Sequence, residues 1–190
     1  MFQELLTKLA RELKTSNIPY MVIGGQAVLL YGEPRLTRDI DITLGIGPEK
    51  LTSVLALAEC LHLKVLVDDA EAFARKTMVL PLLEEKSGIR IDLIFSFSPY
   101  EQQAIRRARS ISFDTADATP VFFASLEDLL IHKIIAGRPR DIEDIKSILL
   151  KNPAYDGMYV SSWLEDFDKG LDTSYLDLFR SITKELKMES

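Results

Sequence analysis

Two strand-like runs joined through a glycine pair and a short helix-like run constrain this chain more than any other feature. Residues 20–23 are the apolar run Tyr-Met-Val-Ile, Gly24-Gly25 follows at once, and residues 25–31 read as a helix. Residues 39–44, Asp-Ile-Asp-Ile-Thr-Leu, read as a second strand. Residues i and i+2 of a strand project to the same face, so Ile40 and Ile42 make an apolar face and Asp39 and Asp41 an acidic one. Aspartate is disfavoured in strands, and two carboxylates on one face repel each other. A solvated strand face would accommodate them; a divalent cation would give both a reason to be there. Mg²⁺ is the hard cation that accepts carboxylate and phosphate oxygens together. Glycines ahead of a helix let the backbone approach a phosphate and offer it N–H groups. A phosphate cradle beside a metal pair points to nucleotidyl transfer.

The rest of the chain builds around that segment. Phe2, Leu5, Leu6, Leu9 and Leu13 recur at helical spacing, predicting a helix over 2–16. Residues 48–61 predict an amphipathic helix, 63–67 a strand, and 69–76 a helix or loop. The apolar runs 78–84 and 89–95, separated by Glu85-Lys86-Ser87-Gly88, predict a hairpin. Pro81 suits an edge or a bulge in its first arm. A helix over 99–108 and short strands at 110–113 and 121–122 follow, and everything from Ser125 onward reads helical. The order predicts an α/β (α+β) fold: a small mixed sheet with packed helices, then a helical C-terminal region. The domain expectation is 1–123 for the catalytic part and 124–190 for the helices packed on it.

A net charge of −6 and a pI of about 5.0 argue against a broad electropositive nucleic-acid surface but allow a local basic patch. Arg106, Arg107 and Arg109 are such a cluster, either a solvated helix end or a contact for an RNA acceptor. No apolar run approaches the ~18–20 residues that span a bilayer, and Met1-Phe2-Gln3-Glu4-Leu5 lacks a signal-peptide pattern. With one cysteine no intramolecular disulfide forms, and a cytoplasmic protein is the simplest reading. Cys60 lies in the apolar run 55–63 and is expected to be a buried structural thiol.

Further candidate residues each carry two readings. Asp92 stands in Ile89-Arg90-Ile91-Asp92-Leu93-Ile94-Phe95, where a buried lone charge would be costly; it is either a third carboxylate of the site or the ion-pair partner of Arg90. Thr37 and Arg38 either bind phosphate and position the strand, or belong with Arg35 to a solvated loop. Ser125 with Asp128 resembles a capping box that uses Asp for Glu. Leu126, Leu129 and Leu130 form a stripe on which Lys133 also falls. A lysine on a buried face is unusual: either it snorkels to the rim, or it reaches phosphates as a point charge. Asp141 and Asp144 align with Ile145 and Ile148, each placed to pair with Lys133 or Arg138. His62 and His132 have no ligand-spaced partners. Trp163, Leu164, Phe167, Leu171, Tyr175, Leu178, Phe179 and Ile182 give the last helices an apolar face for core packing or for a partner.

The segment 22–44 resembles the signature of the polymerase-β-like nucleotidyltransferase superfamily, Gly-Gly or Gly-Ser, a short helix, then Asp-x-Asp. It is most similar to the branch of type IV abortive-infection (AbiE) toxins and small bacterial nucleotidyltransferases. A third motif near Asp92 and a fourth over 125–145 extend the resemblance across most of the first 150 residues. Many members carry Ser at the second glycine position; Gly25 offers only its N–H, a form common in the toxin-like branch. That branch also carries a Lys…Arg…Asp-x-x-Asp pattern like Lys133, Arg138, Asp141 and Asp144. The resemblance implies transfer of an NMP from an NTP to an acceptor hydroxyl with two Mg²⁺ ions held by Asp39, Asp41 and Asp92, and with Asp92 as general base. It assigns Gly24, Gly25 and Lys133 to phosphate contact and Asp141 to an auxiliary role. Acceptors in the superfamily include tRNA ends, proteins and small molecules. The alternative is a toxin–antitoxin or regulatory partner that binds nucleotide with weak or no transfer, and its expected partners are an antitoxin or a second copy of the chain.

Overall fold

The structure is a computed structural model that describes residues 2–96, 98–114 and 119–189. It divides into two compact units, one formed by 1–26 with 36–124 and the other by 27–35 with 125–190. Among the described residues no helix is long and apolar enough to cross a membrane.

The first unit is built on a mixed sheet whose strands are β1 (Tyr20–Ile23), β2 (Asp39–Leu44), β3 (Lys64–Val65), β4 (Val79–Glu84), β5 (Ile89–Phe95), β6 (Arg109–Ile111) and β7 (Val121–Phe123). Among the described residues their order is β3-β4-β5-β2-β1-β7-β6. β2 runs antiparallel to β1 and parallel to β5, and β1 runs parallel to β7. The register matches the alternation in the sequence. Ile40 and Ile42 lie beside Ile91 and Leu93, which lie beside Leu82 and Leu80; all six are buried. Val22 and Tyr20 of β1 extend this face through Ile42 and Leu44. The helix α1 (Phe2–Thr15) buries Leu5, Leu6, Leu9 and Leu13 of the residues its periodicity singles out, while Phe2 at its start is half-buried.

Several boundaries differ from the expected ones for local reasons. Residues 48–61 split into a 3-10 turn, Pro48–Lys50, and α3 (Leu51–Cys60). Residues 69–76 become α4 (Ala70–Thr77), capped by the Asp69 carboxylate, which accepts from the Ala72 N–H at 2.9 Å. The strand expected over 63–67 shrinks to two residues. Leu66 donates its N–H to the Pro81 carbonyl at 3.0 Å, and Pro81 has no N–H to return, so the antiparallel ladder stops there. Pro81 itself is not on an edge strand: its missing donor faces the end of β3, and the β4–β5 ladder runs through it. Cys60 corrects the expectation of burial. The buried face of α3 is Leu51, Val54, Leu57 and Ala58; Cys60 falls off that stripe and is exposed, with its Sγ 3.7 Å from Glu12 Oε2. The helix expected over 99–108 is α5 (Pro99–Arg106), with Ser98 as N-cap and Pro at its first position.

The second unit comprises α6 (Leu126–Ala136), α7 (Pro139–Lys151), α8 (Gly157–Leu171), α9 (Tyr175–Glu189) and residues 27–35. Residues 27–31 are the latter part of α2 (Gly24–Tyr31), whose first three residues belong to the sheet unit. Ser125 caps α6, accepting from the Asp128 N–H at 3.2 Å and donating to the Asp128 carboxylate at 2.6 Å, while Gly137 ends the helix with φ +59°. Asp168 caps α9, accepting from the Tyr175 and Leu176 N–H groups at 2.7 and 3.0 Å. The segment 27–35 is tied into this unit: Asn152 donates to the Tyr31 carbonyl at 2.8 Å, and Lys151 donates to the Gly32 carbonyl at 3.1 Å. Leu164, Phe179 and Ile182 are buried as the apolar pattern predicts, but Leu171, the last residue of α8, is exposed.

Candidate active site

Three strands bring the acidic residues together. The parallel pairing of β2 with β5 places Asp41 directly beside Asp92 and Asp39 beside Arg90. Paired residues of neighbouring strands share a face, so Asp39, Asp41, Arg90 and Asp92 occupy the face opposite the apolar core. Asp39 is exposed, and Asp41 and Asp92 are half-buried. On the other flank β1 sets Ile23 against Asp41, and the chain turns into α2 at the next residue. Gly24 has φ +64°, a left-handed conformation that glycine adopts without strain. A Cβ added there would stand 2.8 Å from Asp41 Cγ and 3.1 Å from Asp41 Cβ, and closer still to Oδ2. The glycine is therefore required twice over, by backbone conformation and by the carboxylate against it. Gly25 is buried and continues α2.

The acidic face also has its own polar partners. Thr37 donates its hydroxyl to Asp39 Oδ1 at 2.9 Å, and Gln26 Nε2 lies 3.5 Å from the Asp39 carbonyl. Arg90 Nε donates to Asp92 Oδ1 at 3.0 Å. Arg38 is exposed beside Asp39. Among the described residues no group of three or more His, Cys, Asp or Glu side chains is gathered as a metal cage. The donor chemistry nevertheless fits a hard divalent cation: two register-paired carboxylates and a third two residues along the strand offer oxygen donors on one face. In this arrangement Asp39 and Asp92 are turned towards Thr37 and Arg90.

In the helical unit Lys133 and Asp141 meet each other. Lys133 Nζ lies 2.5 Å from Asp141 Oδ1 and 2.8 Å from Asp144 Oδ2, with all three side chains less than a tenth exposed. Arg35 completes the cluster with a fork on Asp144, at 2.8 Å through Nε and 3.0 Å through Nη2. Two cations and two anions thus close a neutral network. Burial pushes the Asp144 carboxyl up, and the hydrogen bonds and charges of Arg35 and Lys133 outweigh it, holding the group below its ordinary range. Asp141 also accepts the Arg138 backbone N–H at 3.3 Å, capping α7. The pairing of both aspartates with Lys133 is one the helical spacing anticipates. The part played by Arg35 is not, because its partner lies 109 residues away and no local pattern marks the pair.

A mixed sheet with a glycine turn ahead of paired aspartates defines a chain of the nucleotidyltransferase fold. The chain belongs to the family described as nucleotidyltransferase of unknown function (DUF6036), whose model matches residues 1–156. Comparison with curated proteins gave no match. Among solved structures, the crystal structure of ANT(2″)-Ia in complex with adenylyl-2″-tobramycin is similar with a TM-score of 0.57 and 18% identity, covering 87% of this chain and 96% of that one. An antigenic nucleotidyltransferase-like protein from Paracoccidioides brasiliensis is similar with a TM-score of 0.54 and 18% identity, covering 95% of this chain and 91% of that one. At such identity the likeness is one of fold.

Proposed function

We propose that this chain is a cytoplasmic, Mg²⁺-dependent enzyme that moves an NMP from an NTP to an acceptor hydroxyl. The observation that carries the reading is the register pair Asp41–Asp92 beside a glycine turn that admits no side chain. Asp39, Asp41 and Asp92 would hold the metal, as one or two ions. Bound there, Mg²⁺ supplies charge neutralisation to the triphosphate and lowers the pKa of the attacking hydroxyl. Asp92 takes the acceptor's proton, the acceptor oxygen bonds to the α-phosphorus, and the bond to the β-phosphate breaks to release pyrophosphate. The N–H groups of Gly24 and Gly25, at the start of α2, hold phosphate oxygens. Thr37 fixes Asp39, and Arg38 adds positive charge beside it.

Family membership and the intact trio of aspartates support catalysis over nucleotide binding alone. The toxin-like reading, with an antitoxin or a second copy as partner, rests on the Lys133, Arg138, Asp141 and Asp144 pattern. The acceptor is sought among tRNA, proteins and small molecules, with tobramycin included because a protein of this fold was crystallised with its adenylylated form. The test incubates the purified chain with isotopically labelled NTPs, Mg²⁺ and that acceptor panel, and reads adducts by mass spectrometry beside Asp41→Ala. A nucleotide adduct made by the wild type and lost in folded Asp41→Ala is the expected result. Wild-type turnover by Asp41→Ala would refute the site.

A further inference from the structure

Arg90 stands in an unusual place for an ordinary surface cation. Its register partner on β2 is Asp39, and the next residue on its own strand face is Asp92, which it holds through Nε at 3.0 Å. The Arg90 side chain is 55% exposed and that of Asp92 20%, so the guanidinium lies at the rim and the carboxylate deeper. Asp92 has few other sources of positive charge from its neighbours in the sheet. On β2 its neighbour is Asp41, a like charge; on β4 it is Pro81, which has neither an N–H nor a polar side chain, and Arg90 itself is flanked on β4 by Leu83. The guanidinium therefore offsets the repulsion between Asp41 and Asp92, as a bound divalent cation would. A divalent cation on that carboxylate would be a like charge beside Arg90, so the two oppose each other at Asp92.

We propose that Arg90 is a tethered counter-ion of the carboxylate face, a positioning residue that holds Asp92 and releases it to a divalent cation when a triphosphate arrives to take the guanidinium. The inference rests on the site reading above. It makes metal loading dependent on the nucleotide: the two ligands assist each other because each gives a partner to a charge the other displaces.

The test measures binding of Mn²⁺ to the full chain by calorimetry and electron paramagnetic resonance, for wild type, Arg90→Gln, Arg90→Lys and Asp41→Ala, with circular dichroism confirming the fold. Without nucleotide, Arg90→Gln is expected to bind Mn²⁺ about fivefold more tightly than wild type, the size expected for an exposed ion pair. Arg90→Lys keeps the charge and stays within about twofold of wild type on the same scale. With a non-hydrolysable NTP analogue, the wild type gains more Mn²⁺ affinity than Arg90→Gln does. Equal or weaker Mn²⁺ binding by Arg90→Gln, with Asp41→Ala still losing the ion, overturns the role of Arg90 and leaves the site standing. Mn²⁺ binding that is absent from wild type even with the NTP analogue present, or indifferent to Asp41→Ala, overturns the site and this inference with it.

Discussion

A methyl group added to Gly24 should separate backbone strain from damage to the carboxylate face. Gly24 and Gly88 both have positive φ, +64° and +69°, and an L-residue in that region costs about 1–2 kcal/mol. At Gly88 a Cβ meets nothing within 4 Å, so Gly88→Ala should show the strain alone. That corresponds to a fall in Tm of about 2–4 °C per kcal/mol for a chain of this size. At Gly24 the new Cβ would be 2.8 Å from Asp41 Cγ and 3.1 Å from its Cβ. Turning the carboxyl group alone does not relieve contacts to those two carbons; the Asp41 side chain must swing away. Overpacking of this kind adds about 1–3 kcal/mol, and it moves the residue assigned to the metal. Gly24→Ala should therefore melt below Gly88→Ala, lose Mn²⁺ binding in calorimetry and lose nucleotide transfer, while Gly88→Ala retains both. Gly24→Ala that melts with Gly88→Ala and binds Mn²⁺ like the wild type would refute the claim that Asp41 is held against the glycine turn.

Lys133→Met leaves Asp141 and Asp144 buried with one cation fewer, and breaking a buried pair costs about 3–5 kcal/mol, so urea unfolding should show a loss of that order that Lys133→Met/Asp141→Asn partly restores. The Asp144 carboxyl is held below its ordinary value of 3.8, so its contribution to stability is complete above that pH and lost as pH falls through the lower folded value. Asp144→Asn should accordingly flatten the acid limb of a stability–pH profile measured below pH 4. Burial pushes the Tyr20 hydroxyl up to about 12, against the lowering effect of the Phe122 N–H that it accepts. Its contribution is therefore complete below 10 and declines between 10 and about 12, and ultraviolet titration of Tyr20→Phe should remove one late phenolate together with part of the alkaline loss of stability.

The strands that carry the site were legible because their signals are local. The apolar run at β1 and the alternation of Asp39-Ile40-Asp41-Ile42 set both boundaries at the observed residues, and Ser125 with Asp128 marked the start of α6. What the sequence did not reveal depends on pairing over distance. Asp92 was recognisable as an anomaly in an apolar strand, but nothing near it says that β5 lies against β2 in the register that sets it beside Asp41. The truncation of β3 follows from a missing N–H on a strand paired across the chain. The exposure of Cys60 is a matter of helical phase, since it lies off the Leu51, Val54, Leu57 and Ala58 stripe although its neighbours in the chain are apolar.

The inclusion of residues 27–35 with the C-terminal helices bears on how such a chain can be taken apart or recombined. The backbone leaves the sheet unit within α2 and returns to it before Asp39 is made. A fragment ending at residue 124 would carry that excursion without its counterparts: Arg35 without Asp144, the Tyr31 carbonyl without Asn152, and the Gly32 carbonyl without Lys151. The last four helices are thus no interchangeable cassette. Grafting them from a relative onto this sheet would require residues 27–35 to travel with them, so variation in the two stretches should be inherited together even though some ninety residues separate them in the chain.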